Sequence, residues 1–391
     1  MSYNDFFGAV AASVGKPKSV CEPINLHEPE FSDTNAEEYT KDCIRSGWVS
    51  TAGEWVDKFE LSLEQFTKAK RVVAVSSGTA AIRLCLEAFG VQRGDEVLLP
   101  SLTFVGTANA VSHLGAIPHF IDVEDETNGL DPLVLERHLE KVGRREGDVI
   151  VNRETGRVIR CIIVVHIFGN SARVREICQI GDKWGLTVLE DAAEALGSQN
   201  GVDHCGLIGK AGVLSFNGNK ILTTGGGGAV ISNDIELCNK IRHLSTTAKL
   251  QHKWHYYHDQ VGWNERLPNI NAALGFAQME VIKKRLEAKS ILFQRYERNL
   301  AAAEDFEIIR SAPNTSSNNW LISCRIKESA KGKVELERLL EMSYELGYRM
   351  RPVWQPLHTL AMYRSCPRSN LAVTLDLASR IVCMPSSHFL V

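Results

Sequence analysis

The sequence predicts an α/β fold: a mostly parallel central sheet with helices on both faces, followed by a smaller C-terminal α/β unit. Three observations lead there. Short apolar runs alternate with helix-patterned stretches from about residue 40 onward. Those runs are apolar along their whole length rather than at every second position, as strands buried on both faces require. The chain has 391 residues, 44% of them hydrophobic, which is enough for a large core and more than one unit.

The elements follow in order. The first 35 residues carry Pro17, Pro23 and Pro29 and are expected to be irregular. "RVVAVSSGTAAIRLCLEAFG" reads as a strand, a tight turn and a helix closed by Gly90. "EVLLP" is a buried strand, "TFVGTANAVSHLG" a helix and "IPHFIDV" a strand. "DPLVLERHLEKV" starts a helix with Asp131 as cap and Pro132 in the first turn. "VIRCIIVVHIFG", "GLTVLED", "GVLSF" and "GAVISN" are further strands, and a helix follows Asp234. "QHKWHYYHD" interrupts the order. A long helix-like stretch from "NINAALGF" to "NLAAAE" then leads into the last segment. The expected division is 1–35, an irregular segment; 36–255, the large unit; and 256–391, the small one.

Composition excludes several classes. Lys and Arg number 44 against 47 Asp and Glu, a net charge of −3 with no basic patch, so nucleic acid is not an expected partner. No apolar run is long enough for a bilayer, and the N-terminal residues lack the apolar core of a secretory leader. The ten cysteines are scattered without a C-x-x-C pair, which fits a reduced cytoplasmic protein and no metal site. His252, His255 and His258 in "HKWHYYH" do not share a helix face. That segment is expected over the substrate or at a dimer contact.

In open α/β sheets ligands bind beyond the C-terminal ends of the strands. Each predicted strand end here carries chemistry. At "SSGT", Gly78 and Thr79 open a helix whose free N–H groups suit an anion, although an ordinary capped helix start looks the same. Asp191 in "EDAAE" could hold a protonated ring nitrogen or simply cap a helix. Phe104 in "TFVGT" could carry a flat ring or fill the core. Lys220 sits in "SFNGNKILTTGGGG", a glycine-bounded turn, where its amine could bond an aldehyde or rest in solvent. Taken together, an amine, a carboxylate, an anion cup and an aromatic slab are what pyridoxal phosphate needs. No G-x-G-x-x-G follows the first strand, so dinucleotide binding explains the set less well.

The motifs "SSGTAAIRL", "PSLTFVGTANAV", "EDAAEALGS", "SFNGNKILTTGGGG" and "GWNERLPNINAALGFAQME" resemble the DegT/DnrJ/EryC1/StrS sugar aminotransferases nearly end to end. That resemblance implies the fold of type I pyridoxal 5′-phosphate enzymes. It assigns Lys220 the Schiff base, Asp191 the pyridinium nitrogen, Phe104 the ring stack, and Gly78, Thr79 and Ser215 the phosphate. Asn264 would reach the phosphate of a neighbouring subunit, which implies a homodimer. Glu194 stands where many relatives have His or Gln near the cofactor hydroxyl. His166, Arg351 and His358 lie in motifs near the substrate pocket, although His166 could equally be a buried, hydrogen-bonded strand-end residue, and Arg266 would grip a carboxylate or phosphate or pair with an acid. "LHEPEF", "SGWVST" and "RPVWQPLH" look most like the branch acting on UDP-linked 4-keto-6-deoxy-N-acetylhexosamines with L-glutamate as donor. GDP- or dTDP-linked substrates of the perosamine type, a sugar dehydratase and a non-catalytic regulator are the alternatives. Lys220 argues against the dehydratase, in which histidine replaces it.

Overall fold

The computed structural model describes residues 2–391. Its main sheet runs in the order Arg71–Val75, Gly228–Ser232, Ala211–Ser215, Thr187–Asp191, Val158–Val165, Glu96–Pro100, Ile117–Ile121. Every neighbouring pair in that row is parallel except the two made by Gly228–Ser232. A hairpin of Gly143–Glu146 and Val149–Asn152 extends the sheet beside Val158–Val165. Val72–Val75 and Glu96–Pro100 are buried, as the unbroken apolar runs predict. The α/β expectation therefore holds, with one antiparallel strand set among the parallel ones.

The Asp131 cap read from the sequence forms as expected, and Asp234 caps the helix that follows it. Asp131 accepts the N–H groups of Leu133 and Val134, and Asp234 accepts that of Leu237. Gly90 adopts φ +81° just past the helix Gly78–Ala88, a conformation a side chain would strain.

Two expectations are corrected. The first 35 residues are not irregular throughout, because Ser2–Val14 form a helix. Phe6, Phe7, Val10 and Val14 pack with Leu292, Tyr296 and Phe306 in the core of the C-terminal unit. The prolines that suggested irregularity all lie after this helix, so they never interrupt it. Phe6 stacks on Phe306 with ring centroids 4.4 Å apart. Phe6→Ala should cost about 3–5 kcal/mol in a urea melt, the loss expected of a fully buried aromatic. The second correction concerns the long C-terminal helix. It is two helices, Asn269–Met279 and Ile282–Leu300, broken at Glu280 and Val281. Each half answers to a different core: Ala272, Ala273 and Met279 pack in the large unit, Leu292, Tyr296 and Leu300 in the small one. Tertiary burial overrides the local helical preference at the join.

The small unit is a four-stranded antiparallel sheet, Phe306–Ile308, Ser323–Ile326, Ile381–Cys383 and Arg351–Pro352, backed by Ser2–Val14 and Ile282–Leu300. Its strand Arg351–Pro352 and the nearby Trp320 face the large unit, and the cavity described next lies there.

Candidate active site

A cavity of about 360 Å³ opens at the C-terminal ends of the parallel strands. Gly78, Thr79, Phe104, Asp191, Glu194, Ser215, Lys220 and Arg351 all line it. The topology explains the convergence. Ser215 and Asp191 end neighbouring parallel strands, and Gly78 follows Arg71–Val75 two places along the same sheet.

At one end of the cavity the helix Gly78–Ala88 begins. Ser77 caps it by accepting the Ala80 N–H at 3.1 Å, which leaves the first N–H groups of the helix free for an anion. The backbone comes very close here. A Cβ on Gly78 would stand 3.1 Å from the Ser215 Cβ, and one on Gly106 would stand 2.9 Å from the Thr79 Oγ1. These positions need glycine because the space beside them belongs to the hydroxyls that ring the cup.

Asp191 is buried, and Thr107 donates its hydroxyl to Asp191 Oδ2 at 2.7 Å. Burial pushes the Asp191 carboxyl above the usual range, against the pull of Thr107, the Ala193 N–H and Lys220. Glu194 is buried too. Its Oε2 accepts the Phe168 N–H at 2.8 Å and its Oε1 lies 3.3 Å from Lys220 Nζ. Burial raises its carboxyl as well, again against Lys220. Lys220 keeps only 12% of its side chain exposed, and its amine lies 3.7 Å from the centre of the Trp320 ring. Phe104 caps the helix Val105–His113 and leaves its ring 53% exposed against the cavity, edge-on to Trp354.

Four expected residues lie elsewhere. His166 is fully buried behind the strand end, with Nε2 2.9 Å from Glu190 and Nδ1 accepting the Ala172 N–H. Both ring nitrogens are taken by the protein, so it cannot serve a substrate. Burial works to raise the Glu190 carboxyl, but His166 and the N–H groups of Gly209 and Gly206 hold it below the usual range. Arg266 points to Glu60 at 4.0 Å, and burial lowers its guanidinium from its ordinary value. His358 is buried against Ser101, 2.8 Å from its hydroxyl, and burial lowers its imidazole. Asn264 is exposed on a strap pinned by its neighbour Glu265, which accepts Ser76 and Arg83. The "HKWHYYH" segment ends in a hairpin of Lys249–Leu250 and Tyr257–His258, with Trp254 69% exposed and off the cavity.

The cavity also holds residues the motifs did not flag. Thr107 lay inside a quoted motif, one turn after Phe104, and that spacing was the available signal. Trp354 lay inside "RPVWQPLH". Trp320 had no signal, since it arrives from the small unit.

The family model for "DegT/DnrJ/EryC1/StrS aminotransferase family" matches residues 31–390. The chain belongs to that family. EpsN of Bacillus subtilis (strain 168) is 36% identical over 367 residues, spanning 93% of this chain and 90% of that one. The GDP-perosamine synthase of Vibrio cholerae is 33% identical over 340 residues, 87% of each chain. The crystal structure of a DegT DnrJ EryC1 StrS aminotransferase from Brucella abortus superposes with a TM-score of 0.81 at 26% identity, over 91% of both chains.

Membership makes the chain a pyridoxal 5′-phosphate-dependent aminotransferase with the fold of type I enzymes. The cavity fits that cofactor: a glycine-lined helix N-terminus for phosphate, a buried carboxylate for the ring nitrogen, and an enclosed amine for the aldehyde. No helix among the described residues is long and apolar enough to cross a membrane.

Proposed function

We propose that this DegT-family enzyme moves an amino group from L-glutamate to C4 of a UDP-linked 4-keto-6-deoxy-N-acetylhexosamine. The carrying observation is the Lys220 amine, held inside the cavity beside Glu194 and below the Asp191 strand end. Lys220 is the cofactor's attachment point, and Gly78, Thr79 and Ser215 hold its phosphate. Phe104 covers its ring.

When bound, pyridoxal phosphate supplies an electron sink for the pair released as the donor Cα–H bond breaks. Lys220 Nζ takes that proton and hands it on. In the second half of the cycle the same amine returns a proton to C4 of the sugar. Asp191, ionised, keeps a proton on the cofactor ring nitrogen. Glu194 orients Lys220 through the 3.3 Å contact, and its own position is set by the Phe168 N–H. Trp354 and Phe104 wall the cavity against water on the substrate side. Arg351, exposed at the rim, meets the anionic part of a substrate. Asn264, exposed on its pinned strap, reaches the phosphate of a second copy, so the working unit is a homodimer. The place of work is the cytoplasm, where nucleotide sugars are made.

The 33% identity to a GDP-perosamine synthase favours a second reading, a GDP-linked 4-keto-6-deoxy sugar. A panel of UDP-, GDP- and dTDP-linked 4-keto-6-deoxy sugars, supplied with the glutamate-treated enzyme, separates them by return of the cofactor absorbance band. Return with the UDP sugar supports the first reading, return with the GDP sugar alone replaces it, and return with none removes both.

A further inference from the structure

Trp320 is built into the structure more firmly than a wall residue needs to be. It is 2% exposed and comes from the small unit. Its N–H donates to Asn318 Oδ1 at 2.8 Å, and its carbonyl accepts the amine of Lys289 at 2.8 Å. Lys289 is itself fully buried and donates also to the Ser386 carbonyl. A buried lysine amine is costly to place, and this one is held by two backbone carbonyls, one of them that of Trp320.

The side chain of Trp320, packed in the core, then makes a hydrogen bond and a cation contact, both to the turn that carries Lys220. Its indole N–H donates to the Asn219 carbonyl at 2.7 Å, and its ring face lies 3.7 Å from Lys220 Nζ. Asn318 completes the arrangement. Its Oδ1 accepts Trp320, and its Nδ2 donates to the Glu194 and Leu196 carbonyls at 2.8 and 3.0 Å. One asparagine therefore sets the spacing between the two groups that flank the Lys220 amine: the Glu194 carboxylate and the indole face.

We propose that Trp320 is a positioning residue for Lys220: its indole N–H fixes the turn, and its face seats the free amine between itself and Glu194, aimed into the cavity. A lysine side chain has four rotatable bonds and explores solvent unless something holds it. A cation over a desolvated indole face is held strongly enough to shift its orientation about tenfold. Reactivity falls with the fraction of amine facing the cavity. The small unit thus sets the aim of an amine that the large unit carries.

This inference rests on Lys220 being the cofactor-binding amine, and the first test does not. In the cofactor-free protein labelled with [13C]ε-lysine, the Lys220 ε-CH2 resonance, assigned by its loss in Lys220→Arg, should lie upfield of the other lysines because the ring current of Trp320 shields it. A Lys220 resonance among the bulk of the lysines overturns the seat. The second test is the rate at which the cofactor-free protein captures pyridoxal phosphate, followed by absorbance. Trp320→Leu should slow it about tenfold, while Trp320→Phe, which keeps a ring face and loses the N–H to Asn219, should fall between Trp320→Leu and the wild type. In turnover Trp320→Leu should lower kcat and leave the donor KM unchanged, a split that general loosening does not give. Trp320→Leu capturing at the wild-type rate, or both variants slowed alike, overturns the proposal. Should Trp320→Leu fail to fold, the resonance position in the wild-type protein still decides. Absence of capture by the wild-type protein, with the resonance upfield, removes the cofactor reading and leaves the seat.

Discussion

Lys220→Ala is expected to lower amino transfer by at least about 10³-fold, because in the proposed mechanism one amine serves as both cofactor anchor and proton carrier. The geometry gives it no substitute. The other cation at the cavity, Arg351, lies at the exposed rim, away from the enclosed amine. Steady-state rates with a saturating keto-sugar check the loss, and rates within tenfold of wild type would remove Lys220 from the mechanism. The same substitution should leave a mark on stability. Lys220 is the cation that draws the raised Glu194 carboxyl downward. Without it, Glu194 is a buried carboxylate with no charged partner. A carboxyl whose folded value is raised destabilises the fold above that value. The penalty fades as pH falls through it toward the unfolded value. Cofactor-free Lys220→Ala should therefore lose more stability at pH 8 than at pH 5, measured as thermal midpoints against the wild type.

Asp191→Asn is expected to move activity and stability in opposite directions. Activity should fall by about 10²-fold or more, since an amide cannot keep a proton on a pyridine nitrogen. The cofactor-free protein should become more stable, by roughly 2–4 °C in thermal midpoint at pH 8. Burial is the largest influence on Asp191 and raises its carboxyl, so its ionised form costs folding free energy at neutral and higher pH. An amide removes that cost and can still satisfy Thr107 and the Ala193 N–H. The sign gives the pH window. The gain should be full above the raised folded value and shrink on acidification toward the unfolded one. A variant equally stable at pH 8 and less stable at pH 5 would mean that the hydrogen bonds, and not the charge, dominate at this position. A carboxylate that weakens its own fold is the pattern expected of a site selected for chemistry, as the proposed role of Asp191 requires.

Much of the site was legible because its residues are local. Gly78 and Thr79 open a helix directly after a strand, Asp191 ends one, and Lys220 follows one within a glycine-bounded turn. Strand ends of a parallel sheet share one edge, so reading each end in turn collects the cavity without any knowledge of which strands are neighbours. The same rule left His166 open between the cavity and a buried, hydrogen-bonded place behind it, and the structure takes the second. His166 stands one residue past Val158–Val165, and Val165 does line the cavity, but the His166 ring turns back to Glu190. Side chains alternate in direction along a strand, and one residue is the difference between facing a ligand and facing the layer behind. Arg266 takes the acid-pairing reading and His358 turns to Ser101 for a related reason: a family motif marks a position, while partners such as Glu60 and Ser101 lie far away in sequence and only folding supplies them.

By itself the sequence determined most of the elements, the mostly parallel character of the sheet, the chemistry of the strand ends and the family, because all of these are written in local patterns of polarity, turn residues and motif spacing. Tertiary structure alone decided the rest. It placed Ser2–Val14 in the C-terminal core, divided the long helix between two cores, and turned His166 away from the cavity. It also brought Trp320 from the small unit against an amine 100 residues earlier in the chain, held there by Asn318 and the buried Lys289. Burial and hydrogen-bond satisfaction are properties of the packed chain, and no stretch of sequence carries them on its own.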